Sequence, residues 1–413
     1  MSALQVVYYT LGALGLMTFL ALTVMMLTYV ERKFLARIQQ RMGPMRVGPH
    51  GTLQPVADTV KLMLKEDILP SWADRPVYWL APLAIFLPAL AIWVTLPLGE
   101  DLGLRNLDLG LLFIVAVSVL SVLGLVMAGW GSANKYAMLG GLRAAGQLIS
   151  YEVPFILAVL GVAMLSQTLD LTRIVDDQAR IANVVVQPIG LFIFLMAGLA
   201  ELGRTPFDIH HAESEIVGGP FVEYSGAHWA IIQLAEYVNT FAVAALVVLL
   251  FLGGWGWPAM PFEGGAHHVL SLVWFLAKTY GIILFIFWIR GTYPRLRIDQ
   301  LMSFSWKILV PASFLNITFT GLVLFYELHW SVLTGLSLLT LAAVGYVIHR
   351  RPGAGAGGGT VRVVPAREAG LIPYAERQVE RADTERRSSS DDSAPGQGRP
   401  DGSPPTGGAD GTQ

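Results

Sequence analysis

Nine stretches of this chain are predominantly apolar over about eighteen residues or more, long enough for a helix to cross a bilayer. They are 4–30, 77–98, 111–130, 148–167, 184–201, 229–252, 269–289, 308–327 and 331–348. The chain is 54% hydrophobic and 14% charged, a balance outside the range of ordinary soluble domains. The expected fold class is an all-α polytopic membrane protein with about nine transmembrane helices. A net charge of -2 argues against a nucleic-acid partner. Cysteine is absent, so the chain has neither disulfides nor thiolates to hold an iron–sulfur cluster. None of its eight histidines lies near the centre of an apolar stretch, so neither membrane haem nor another metal site is expected.

The loops orient these spans. The first apolar run is followed, not preceded, by basic residues, which reads as a stop-transfer helix and not as a cleaved signal. Lys and Arg number eight in 31–76, two in 131–147, one in 202–228 and four in 290–307. The alternate loops hold one in 99–110, two in 168–183 and none in 253–268. Fifteen against three predicts an external N-terminus and a cytoplasmic C-terminus. From Pro352 onward the runs PGAGAGGG, SSSDDSAPGQG and PDGSPPTGG cannot bury a core. The expected organisation is a transmembrane domain over 1–350 and a disordered cytoplasmic tail over 351–413.

One further helix is too short to span. After Gly43-Pro44 and Gly48-Pro49, Thr52 is placed to cap it and Pro55 sits in its first turn. Leu53, Val56, Val60 and Leu64 form an apolar face; Gln54, Asp58, Lys61 and Lys65 form a polar one. This pattern suits a helix lying at the cytoplasmic membrane interface.

Charge within the apolar stretches is the second strong signal. Glu152, Glu201, Glu236 and Lys278 all lie in or at the ends of predicted spans. A charged side chain at the centre of a membrane helix costs roughly 2.5–3.5 kcal/mol on insertion scales. Several in one chain imply a polar or hydrated interior and a proton route; the alternative is an internal salt-bridge set, with Lys278 on a glutamate. Pro154 frees the carbonyl of Ser150 beside Glu152, and a freed carbonyl inside a membrane needs water or a partner.

Four segments carry a resemblance to a known family: ERKFLARIQQRMGPMRVGPHGTLQPVADTVKLMLKED from Glu31, KYAMLGGLRAAGQLISYEVP from Lys135, AELGRTPFDIHHAESEIVGG from Ala200 and IRGTYPRLRIDQLMSFSWK from Ile289. From about residue 15 to about residue 328 the chain resembles the H-subunit family of NADH:quinone oxidoreductase, respiratory complex I, which includes mitochondrial NADH dehydrogenase subunit 1. One departure concerns His210 and His211, which stand where the family commonly has Pro-Glu.

The resemblance implies a multi-pass subunit of the bacterial plasma (inner) membrane. Its loops 31–76, 202–228 and 290–307 would form the entry chamber for quinone, a substrate with an apolar tail and a polar head. Chamber residues are expected among Arg32, Phe34, Gln39, Arg41, Met42, Phe207, Phe221, Arg290 and Arg295. The proton path is expected among Glu31, Asp58, Glu152, Glu201, Glu213, Glu215, Glu223, Glu236 and Lys278. No catalytic site is complete in this chain. NADH, FMN and the iron–sulfur clusters would belong to partner subunits, both membrane and hydrophilic, and lipid would surround the spans. The competing readings are a membrane subunit of a related energy-converting hydrogenase, a stand-alone proton-coupled transporter and a purely structural anchor. A transporter often shows two related halves; this sequence shows no internal repeat.

Overall fold

The computed structural model describes residues 3–99, 102–209, 216–258 and 266–350. The tail from 351 onward, His210, His211, Glu213 and Glu215 lie outside the described residues. Helices account for the architecture: α1 (Ala3–Ile38), α2 (Gln54–Leu64), α3 (Arg75–Thr95), α4 (Gly110–Ser118), α5 (Leu120–Gly131), α6 (Lys135–Ser166), α7 (Leu171–Asp177), α8 (Asn183–Val186), α9 (Pro188–Glu201), α10 (Gly226–Phe251), α11 (Ala266–Thr292), α12 (Ile298–Phe304), α13 (Val310–Phe325) and α14 (Trp330–Arg350). A π-helical turn, Ser305–Leu309, joins α12 to α13.

Among the described residues, eight helical segments are long and apolar enough to cross a membrane. The expected span 184–201 is the exception. Pro188 disfavours helical backbone at the residue before it and has no N–H to donate. The helix breaks at Gln187, leaving α9 with 14 residues. At 1.5 Å per residue α9 alone is about 21 Å, short of the ~30 Å hydrocarbon core, so the segment runs as a broken helix, α8 then α9, from the Phe251 end of α10 to the Arg204–Glu31 pair.

α10 lies at the centre, packed against α3, α11, α1 and α9. Every residue from Phe241 to Phe251 is buried, as expected of a helix apolar all round. Trp93 of α3 stacks on Phe241, with ring centroids 4.7 Å apart. Glycines bring other helices close. A Cβ on Gly129 of α5 would stand 2.6 Å from the Ala137 carbonyl oxygen of α6.

Three local expectations need correction. α6 starts at Lys135, with Asn134 accepting from the Tyr136 N–H at 2.9 Å, so Lys135–Gln147 is helix and not loop. Glu152 therefore sits mid-helix. Thr52 does not cap α2; Leu53 occupies that position, with no side-chain cap. Lys278 pairs with main-chain carbonyls, not with a glutamate. The carbonyl of Ser150, freed by Pro154, does find a partner: the Ser305 hydroxyl of the π turn donates to it at 2.7 Å. Trp306 Nε1 then donates to the Ser150 hydroxyl at 3.3 Å.

Candidate functional site: a polar cavity and the acids behind it

The turn after α9 folds back on itself, with Phe207 N–H donating to the Arg204 carbonyl at 2.9 Å. The segment before α12 is tied to it by the Leu296 N–H on the Pro206 carbonyl at 3.0 Å. Together with the start of α10 and the end of α11, they enclose a cavity of about 350 Å³. Its walls are Gly203, Arg204, Asp208, Gly218, Phe221, Val222, Trp229, Gln233, Glu236, Tyr237, Arg290 and Arg295.

Ion pairs hold the charged walls. Glu31 of α1 is buried and receives both Arg204, at 3.0 Å, and Arg290. Arg204 is 6% exposed, and its guanidinium lies 4.6 Å from the Tyr237 ring centroid. Burial alone would lower the Arg204 pKa, but Glu31, Tyr237 and Glu236 around it raise it above the usual arginine range. Arg204 therefore stays a fixed cation. Arg295 pairs with Asp208 at 3.1 Å. One wall thus carries pinned cations, while Phe221 and Trp229 supply apolar surface. A ligand with a polar head and an apolar body matches that combination.

Two smaller cavities continue inward. The first, about 40 Å³, is bordered by Phe221 and Glu236, which also line the large cavity, and by Glu201, Ser121 and Asn239. The second, about 30 Å³, shares Glu201, Ser121 and Asn239 and adds Ser118. Each has room for water, which needs roughly 10–15 Å³ per molecule. Ser118, whose hydroxyl donates to the Val115 carbonyl at 2.9 Å, shares the second cavity with Glu201, and Glu201 and Glu152 interact electrostatically. Glu152 Oε1 is buried without a hydrogen-bond partner among the described residues. Polar side chains therefore run from the cavity wall at Glu236 to Glu201 and on to Glu152.

The structure sorts the sequence-derived candidates. Phe221, Glu236, Arg290 and Arg295 meet at the cavity, with Glu31 behind it and Glu201 next inward. Other candidates lie apart. Phe207 is 2% exposed and packs on Tyr151 and Phe304. Phe34 packs against the core. Met42 is 87% exposed, and Gln39 accepts from Arg41 at 2.7 Å on the surface. Arg32 pairs with Asp58, joining α1 to α2. Burial would raise the Asp58 pKa, but hydrogen bonds from Arg32 and Gln54 outweigh it and lower the pKa. Glu223 accepts from Asn134 at 2.7 Å and lines none of the three cavities described. Lys278 lies at the far end of α10.

Beside Glu223, Tyr224 stacks on Tyr78 at 4.2 Å; burial, then Tyr78, push its phenol pKa up. Arg204, Asp208, Trp229, Gln233 and Tyr237 line the cavity and are absent from the sequence-derived candidates. Arg204 carries one available signal: it is the lone basic residue of 202–228.

Known proteins are similar to this chain over most of its length. The NADH dehydrogenase family pattern matches residues 11–321. The NADH-quinone oxidoreductase H subunit of Anoxybacillus flavithermus is 50% identical over 295 residues, 71% of this chain and 87% of the relative. The corresponding H subunits of Brevibacillus brevis and Dehalococcoides mccartyi are 47% and 42% identical over 299 and 325 residues. Those alignments cover 72% and 78% of this chain and 88% and 89% of the relatives. This multi-pass, all-helical chain belongs to the NADH dehydrogenase family, among the membrane H subunits of the NADH-quinone oxidoreductase complex.

Proposed function

We propose that the large cavity is the chain's part of the quinone entry chamber, and that Glu236, Glu201 and Glu152 couple quinone reduction to proton movement. The observation that carries this reading is shared lining: Glu236 borders both the large cavity and the first inner one, and Glu201 borders both inner ones. A quinone entering between Phe221 and Trp229 carries its polar head past Arg204, Arg290 and Arg295 on the way to the reduction site of a partner subunit. Charge developing at that site acts on Glu236 through a setting that screens it less than bulk water. The carboxyls pass protons through water in the inner cavities. Glu31 holds two arginines and acts as a clamp in this scheme, not as a carrier.

NADH, FMN and the iron–sulfur clusters belong to partner subunits in this reading, as does the site where the quinone head is reduced. The loop charges support an N-terminus outside and a cavity end of the spans on the cytoplasmic side. The exposed apolar residues of α2 and its N-terminal flank, Leu53, Val56, Val60, Met63 and Leu64, face lipid or a neighbouring subunit beside the entrance.

Arg295→Ala tests the chamber. It removes a charge-assisted contact of about 1.5–3 kcal/mol, so the KM for quinone is expected to rise about ten- to a hundredfold. NADH oxidation with a soluble artificial acceptor should hold. Equal loss of both activities would refute the quinone-specific role.

A further inference from the structure

α10 ends at Phe251 inside the protein, and its C-terminus exposes carbonyls with no helical partner. In a membrane interior such carbonyls need partners, and the helix dipole favours a cation beside them. The surrounding side chains supply these. Gln178 Nε2 donates to the Leu249 carbonyl at 2.8 Å, and Asn183 Nδ2 to the Leu250 carbonyl at 2.9 Å. Gly253 and Gly254 carry positive φ and reverse the chain. This lets the Gly254 N–H donate back to the Val248 carbonyl at 2.9 Å and the Gly253 N–H to Gln178 Oε1 at 3.0 Å. Lys278 completes the set: its ammonium donates to the carbonyls of Leu252 at 2.9 Å, Gly254 at 2.7 Å and Trp257. An ammonium has three donors and no acceptor. All three are engaged with main chain.

We propose that Lys278 is a positioning residue: with Gln178 and Asn183 it caps the buried C-terminus of α10, and so fixes the axial position of Glu236 and Tyr237 on the same helix. It carries no protons itself. α10 is one continuous helix between these points, so a shift at its capped end displaces Glu236 relative to Glu201. The consequence for coupling rests on Glu236 belonging to the proton path; the cap itself does not.

The experiment uses the assembled complex and two readouts, amide hydrogen exchange over 248–257 and protons translocated per NADH. Lys278→Arg keeps a permanent charge and several donors but cannot release a proton at working pH. It should retain protection and at least about half of the translocation. Lys278→Met should raise exchange over 248–257 about tenfold or more and lower translocation. An assembled Lys278→Arg complex with normal protection and no translocation would overturn the proposal and make Lys278 a proton carrier. Unchanged exchange in Lys278→Met would overturn it as well. Should Lys278→Met fail to assemble, Asn183→Leu removes one neutral cap. Faster exchange over the same segment supports the cap, and unchanged exchange refutes it. Full translocation by Glu236→Gln beside fast exchange in Lys278→Met would remove the path reading while leaving the cap intact.

Discussion

The two ends of α10 handle polar groups in opposite ways. At the C-terminal end, Leu249, Leu250, Leu252 and Gly254 each have a carbonyl taken by Gln178, Asn183 or Lys278. At the N-terminal end, Gln233, Glu236 and Tyr237 face a cavity of about 350 Å³. Between them runs the unbroken buried stretch Phe241–Phe251. A buried polar group is costly unless it is paired or hydrated. The C-terminal end meets that cost with protein partners alone. The N-terminal end leaves space for a ligand and water, and the proposed binding and proton chemistry rests on that space.

The largest effect that would break this contrast is expected at Glu31. Glu31→Gln removes the anion shared by Arg204 and Arg290 and leaves buried guanidinium charge uncompensated, a loss of about 3–5 kcal/mol. Thermal denaturation and subunit retention on purification should both show it. A stable, fully assembled Glu31→Gln complex would mean that the cavity wall is held some other way.

A smaller effect is expected where glycine lets the cavity turn approach α6. A Cβ on Gly140 would stand 2.6 Å from Gly219 Cα, a backbone atom that cannot simply rotate away. Gly140→Ala should therefore displace the turn carrying Phe221, at about 1–3 kcal/mol. The KM for quinone should rise while oxidation with an artificial acceptor changes less.

The smallest effect is expected at α2. The Arg32–Asp58 pair is largely solvent-exposed on the arginine side, so Asp58→Asn should cost no more than about 1 kcal/mol. Because the Asp58 pKa is lowered, the pair's contribution is fully present above the unfolded value. It is lost only as pH falls through the folded one, below about 4. Melting temperature of Asp58→Asn and of the unmodified protein should therefore converge in acid and differ slightly at neutral pH.

What can be read in the sequence follows from range. The α10 core is a continuous apolar run, so FAVAALVVLLF declares a membrane span without any partner information; its burial among other helices is not legible, since the more apolar segment Gly110–Gly131 is far less buried. The Glu31 cluster cannot be read that way. Its partners lie 173 and 259 residues away, and Arg204 looks in sequence like one more topological charge. Lys135–Gln147 reads as a loop because Lys135, Arg143 and three glycines suggest one. Its small residues Ala137, Gly140, Gly141 and Ala144 instead recur at helical spacing and pack against α5 and the Gly219 turn. Lys278 shows the other blind spot. Charge in a span signals that a partner exists, but main-chain carbonyls leave no mark in residue identity.

Proton translocation by Glu236→Gln and Glu201→Gln, measured per NADH oxidised in sealed membranes, decides whether these carboxyls carry protons. Glutamine keeps the size and polarity of each side chain and removes its titration. Assembled complexes with translocation reduced severalfold in each variant are expected, because each carboxyl borders an inner cavity. Full translocation by both variants would rule out a proton path through them and leave the acids of the cavity end as structural groups only.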